Sequence, residues 1–158
     1  MQVEIKDDKF TQMLAKMENA CIDMTPLYKK IYYEVMLPSI MRNFSAQGRY
    51  SASSNRLDAQ KSIIGGSHKW APLRKETIAR KRKKYGKTSI LQASGSLKGG
   101  VHARITKSEL GISSVKYGNY AQFGTKFMPE RPWLTVQEAD RRKITKIIKQ
   151  YLSELKKR

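Results

Sequence analysis

Tyr120-Ala121-Gln122-Phe123-Gly124-Thr125-Lys126-Phe127-Met128-Pro129-Glu130-Arg131-Pro132-Trp133-Leu134 sets four aromatic side chains against glycine and proline punctuation. Gly124 suits a left-handed or tightly turned backbone after a short helical turn. Pro129 and Pro132 fix φ and push the residues before them into extended conformations. The chain must therefore cross an extended bridge here. Tyr120, Phe123, Phe127 and Trp133 supply large areas for burial on either side of it, either in the core or at a subunit interface, with the core favoured for Tyr120 and Phe123. Thr135-x-x-Glu138 follows as a capping box, which predicts a helix from about Thr135.

Two further landmarks lie upstream: Trp70-Ala71-Pro72-Leu73, with Thr77 four residues after Leu73, and Leu91-Gln92-Ala93-Ser94-Gly95-Ser96-Leu97. Their order, followed by Tyr-Ala, Phe-Gly, Pro-x-x-Pro with an aromatic and Leu, and a C-terminal helix, resembles the phage virion-morphogenesis and tail-completion families over roughly residues 70 to 155. The resemblance implies a non-enzymatic assembly protein that forms an oligomeric ring, typically sixfold, at the head-proximal end of a phage tail or in the neck. It also implies other tail and neck proteins as partners, DNA passing through the lumen, and localisation in the virion after assembly in the host cytoplasm.

The chain has 158 residues, 39% apolar and 28% charged, enough for one core and short for two. No run approaches a membrane span, and the first residues lack the apolar segment of a secretory signal, so no membrane partner is expected. Cys21 is alone, which excludes an intramolecular disulfide, and with only His68 and His102 beside it a zinc site has too few ligands. No cofactor is expected.

Charge is the second strong feature. The net charge of +19 is distributed as 7 Lys/Arg against 6 Asp/Glu in residues 1–50, 14 against 2 in 51–107 and 11 against 5 in 108–158. Such a field favours polyanions and says nothing about fold. Arg80-Lys81-Arg82-Lys83-Lys84, with Lys87 close by, is the sharpest cluster. On a helix it cannot all lie on one face, and it reads as a solvated face, a phosphate contact or a contact for an acidic protein.

Along the chain, Asp7 or Asp8 caps a predicted helix with Phe10, Met13, Leu14, Met17 and Cys21 on one face. Thr25-Pro26 opens a second through Leu27, Ile31, Tyr32, Val35 and Met36, which Pro38 should kink or end, with Ile40, Met41 and Phe44 continuing it. Residues 45–69 turn to Gly, Ser, Asn and Gln and predict a long basic mobile loop, with Trp70 anchoring it to the domain. Helices are expected from Leu73 to about Lys84, from Thr88 to Leu97 and at the C-terminus. Alternation at Val101, Ala103 and Ile105, then Leu110 and Ile112, predicts a hairpin. The expected fold is α+β: a small antiparallel sheet packed by long helices in a single domain, with residues 1–44 as N-terminal helices and 70–158 as the core bearing the landmarks.

Catalytic chemistry finds no support. Gly95-x-x-x-Gly99-Gly100 lacks the Gly-Lys-[Ser/Thr] of a phosphate loop, Ser94 has no His partner nearby in sequence, and the basic middle holds only Asp58 and Glu76 for acid/base or metal work. The chain is read as no enzyme. The rival reading is a basic module that grips nucleic-acid backbone without reading sequence.

Overall fold

A computed structural model describes residues 23–49 and 69–157. The first predicted helix and most of the 45–69 loop lie outside them.

Helix α1 is a continuous rod over residues 25–46, built from Thr25–Ile31, a π turn at Tyr32–Met36 and Leu37–Ala46. It opens where the Asp23 carboxylate accepts the Thr25 N–H at 3.0 Å. Hydrogen bonding by Thr25 is the main cause that holds this exposed carboxyl below its ordinary value. Pro38 does not end the helix, which Ile40, Met41 and Phe44 continue as expected. The π turn immediately before it routes the Leu37 N–H to the carbonyl of Tyr32, five residues back, and so opens room where a proline ring would otherwise clash. The rod ends at Gln47, in the left-handed region with φ 52°.

Gly48 and Lys69 form an antiparallel bridge, and the Trp70 N–H donates to the Gln47 carbonyl at 2.9 Å. Residues 47–48 and 69–70 are therefore clamped side by side. Helix α2 spans Lys75–Tyr85 and closes at Gly86, φ 64°. A helix over Thr88–Leu97 does not form; only the short α3, Ser96–Gly99, does. The segment is tied instead to the end of α1, with Ile90 N–H donating to Gln47 Oε1 (2.8 Å) and Gln92 Nε2 donating to the Phe44 carbonyl (2.7 Å). Leu91 (φ 58°) and Gly95 (φ 84°) also leave the helical region.

Strands β1, His102–Ile105, and β2, Leu110–Ser113, pair antiparallel with Ala103 opposite Ile112 and Ile105 opposite Leu110. This is the expected hairpin, and with the helices it makes the fold α+β. Helix α4, Gly118–Phe123, carries the start of the Tyr120–Leu134 stretch, and α5, Glu138–Lys157, is the C-terminal helix.

The core has two lobes along α1. Leu27, Ile31, Tyr32, Val35 and Met36 pack with Ile147 of α5, flanked by the hairpin residues Ala103, Ile105, Leu110 and Ile112. Further along, Ile40 and Phe44 pack with Trp70, Leu97, Ala121 and Trp133. Ile112 and Leu134 touch both lobes and join them.

Trp133 is 3% exposed, stacks on Phe44 at 6.3 Å between ring centres, and donates its indole N–H to the Gly118 carbonyl at 3.0 Å. Trp133→Ala is expected to cost about 3–5 kcal/mol, measured by urea or thermal unfolding. An unchanged melting temperature would remove Trp133 from the core.

Candidate assembly surface

The Pro129–Leu134 bridge is pinned from both sides by side chains. Gln122 Oε1 accepts the N–H groups of Trp133 and Leu134, each at 3.0 Å, and its Nε2 donates to the Leu134 carbonyl at 2.9 Å. One amide thus pairs with the bridge as a neighbouring strand would. Arg131, 5% exposed, donates from Nε to the Ala71 carbonyl (3.0 Å) and from Nη2 to the Pro72 carbonyl (3.3 Å), while Trp70 donates its indole N–H to the Pro132 carbonyl (2.9 Å). The Trp70–Leu73 and Pro129–Leu134 landmarks are therefore one clasp. Burial lowers the Arg131 pKa from its ordinary value.

A buried polar ladder fixes the bridge to α1 and α5. Ser39 and Asn43 lie one helical turn apart on the inner face of α1. Ser39 Oγ donates to Asp140 Oδ2 at 2.6 Å, and the same oxygen accepts the Gln137 N–H at 3.0 Å. Asn43 Nδ2 donates to the Trp133 carbonyl (3.2 Å) and Thr135 Oγ1 (3.3 Å), and its Oδ1 accepts from Gln137 Nε2 (3.0 Å). The expected capping box at Thr135 and Glu138 is corrected accordingly. Asp140 caps the start of α5, Thr135 turns to Asn43, and Glu138 makes exposed ion pairs with Arg141 and Arg142 at 3.9 and 3.3 Å.

The outward side of this scaffold is aromatic. Gly118 and Ala121 of α4 are buried, whereas Tyr120 is 61% exposed and Phe123 is 77% exposed. Their three-residue spacing puts both on the outer stripe of α4, with Tyr117 one turn earlier. Gly124 follows with φ 72°, and a Cβ there would lie 2.8 Å from the Glu130 nitrogen and 3.0 Å from the Met128 oxygen. The chain then makes a tight turn. Thr125 N–H donates to the Met128 carbonyl (2.8 Å), Met128 N–H donates back (3.2 Å), and Thr125 Oγ1 accepts the Phe127 N–H (3.2 Å). Phe127 stands at its tip, 85% exposed. The expectation that the core takes Tyr120 and Phe123 is thus corrected, because the small residues Gly118 and Ala121 occupy the inner face of α4. Trp70 and Trp133 are the buried aromatics of the set.

The basic cluster splits. Arg80, Arg82, Lys83, Lys84 and Lys87 are exposed, and the Lys84 ammonium sits over the Tyr85 ring, 5.3 Å from its centre. Lys81 is corrected as a polyanion contact: it is buried and donates from Nζ to the Ser89 carbonyl. Burial, with the charge of Arg131 second, lowers its pKa.

Gln122, Asn43, Ser39, Gln137, Asp140 and Arg131 escaped the sequence reading. For Ser39 and Asn43 a signal existed: polar residues at helical spacing within the apolar stripe of α1. Gln122 and Arg131 carried none, since their partners lie on other parts of the chain.

The model of the phage virion morphogenesis family matches residues 5–153, which takes in nearly all of the chain. No curated protein and no solved structure matches it significantly.

Asp140→Ala strands the Ser39 hydroxyl and the Gln137 N–H in a buried site. Unfolding in urea should show a loss of about 2–4 kcal/mol, against under about 1 kcal/mol for Glu138→Ala, whose ion pairs are exposed. Equal losses would refute the ladder. For Lys81 folding penalises the charged form, whereas for a capped acid it favours it. With its pKa lowered on folding, the unfolded chain holds the proton more tightly, so a stability penalty is present below the folded pKa and is relieved as pH rises through it. The gain in stability from neutral pH towards the ordinary lysine range should be smaller in Lys81→Met than in the parent, read by denaturant midpoints across that range.

Proposed function

The chain belongs to the phage virion morphogenesis family, and from that premise we propose that it is a non-enzymatic subunit of an oligomeric ring, expected to be a hexamer, at the head-proximal end of the tail or in the neck, where it completes the tail or joins it to the head. A role in phage structure and assembly, and association with the virion, follow from the family itself.

The observation that supports the ring is the division of labour within residues 117–134. The buried half, Gly118, Ala121, Arg131 and Trp133, is welded into the core, while Tyr120, Phe123 and Phe127 are held outward on a short helix and a doubly bonded turn. Three aromatics in that position offer on the order of 400 Å² to a neighbouring subunit, and aromatic residues are enriched at subunit contacts. The rigid support lowers the ordering cost of association. A second reading, a monomeric nucleic-acid-binding module, is favoured by the exposed cations of α2. Oligomeric state separates the two.

Native mass measurement of the purified chain should give a closed oligomer. The double variant Phe123→Ser/Phe127→Ser should lose it and keep the melting temperature of the folded subunit, because neither side chain is buried in the subunit. A parent chain that stays monomeric at high concentration, or a variant that still closes, would count against the ring.

A further inference from the structure

Helix α2 is attached to the body through one narrow stripe. Thr77 and Ile78 are half-buried and Lys81 is buried, a spacing of one helical turn, while Lys75, Ala79, Arg80, Arg82, Lys83 and Lys84 are exposed. A lysine thus takes the inward position where an apolar residue usually sits. Its bond to the Ser89 carbonyl fixes the rotation of the helix, so the remaining cations of the run can only face outward.

Nothing among the described residues offsets that face. The acidic residue of α2, Glu76, lies in its first turn, and among the described residues no acid pairs with Arg80, Arg82, Lys83 or Lys84. Cations in a last helical turn do complement the helix dipole, but that effect reaches one turn and leaves the mutual repulsion of Arg80, Lys83 and Lys84, three and four residues apart, unanswered. Such a surface is complementary to a partner of opposite charge.

We propose that the outer face of α2, with Arg80, Arg82, Lys83, Lys84 and Lys87 as its contacts, is a docking surface for the phosphate backbone of duplex nucleic acid. Two observations select this partner. A protein interface needs an apolar centre, and the exposed apolar surface of α2 is limited to Ala79 and part of the Tyr85 ring, so an acidic protein would find charge with little to bury. Single strands are gripped by stacking successive bases on several aromatic rings, and α2 carries one, Tyr85, 40% exposed with the Lys84 ammonium 5.3 Å from its centre. What is left suits a regular array of phosphates. The inference rests on membership of a family of phage virion proteins, whose particles carry nucleic acid, and does not need the ring.

The test is fluorescence anisotropy of the full chain with labelled 20-base-pair duplexes of unrelated sequence, over a series of KCl concentrations. The parent should bind all of them alike, with log K falling by about 0.9 for each phosphate neutralised per unit of log salt. Arg80→Gln/Arg82→Gln/Lys83→Gln/Lys84→Gln removes four contacts and should flatten that slope by about 3–4, so that its affinity deficit against the parent shrinks by about a hundredfold between 50 and 200 mM salt. Arg142→Gln/Lys143→Gln/Lys146→Gln/Lys149→Gln on α5 removes the same net charge and should flatten it far less. Circular dichroism melting keeps both variants comparable, since all eight side chains are exposed. No binding by the parent, equal slopes for the two variants, a preference for one sequence, tighter binding of a single strand, or displacement by polyglutamate as readily as by unlabelled duplex would each overturn the proposal. A monomeric parent that binds duplex as described would sink the ring and leave this surface standing.

Discussion

The contact between the last two turns of α1 and the Pro129–Leu134 bridge sets the position of almost everything else. Phe44 stacks on Trp133 while Asn43, the residue beside it, donates to the Trp133 carbonyl and accepts from Gln137. An extended segment with two prolines lacks the donors and the regular partners to hold itself in place. It is straight and fixed here because side chains of α1 and α4 supply the hydrogen bonds that a neighbouring strand would otherwise give.

That dependence couples distant parts of the chain. The end of α1 that carries Asn43 also holds Trp70 through Gln47 and receives the 88–95 segment through Gln47 and Phe44. Arg131 and Trp70 then lock the bridge to residues 70–72. Rigid support of this kind is what a surface meant to meet a partner needs, because a loosely held Phe127 would forfeit on docking the entropy that the Thr125–Met128 turn has already removed.

Charge plays two separate roles in the molecule. Lys81 and Arg131 are withdrawn from water, lose basicity, and serve as geometric ties between backbone carbonyls. The cations beside Lys81 in sequence stay in solvent and create the field. The run at residues 80–84 is therefore two functions interleaved by the helical period, and a count of its charges alone could not separate them.

By itself the sequence determined the local elements: α1 from its apolar spacing, the hairpin from alternation at Ala103, Ile105, Leu110 and Ile112, α2 from its composition up to Gly86, and the bend and bridge of 120–134 from Gly124 and its two prolines. These follow from backbone sterics and periodic burial, which act over a few residues. The family was legible for the same reason, since its landmarks are short and ordered along the chain. Only the tertiary structure decided which face each aromatic takes, that Asp140 rather than Thr135 caps α5, that residues 88–95 are tied to the end of α1 instead of forming a helix, and that Lys81 points inward. Each of those outcomes turns on a partner far away in sequence, such as the 101 positions between Ser39 and Asp140, and no local propensity can anticipate a hydrogen bond whose other half has yet to arrive.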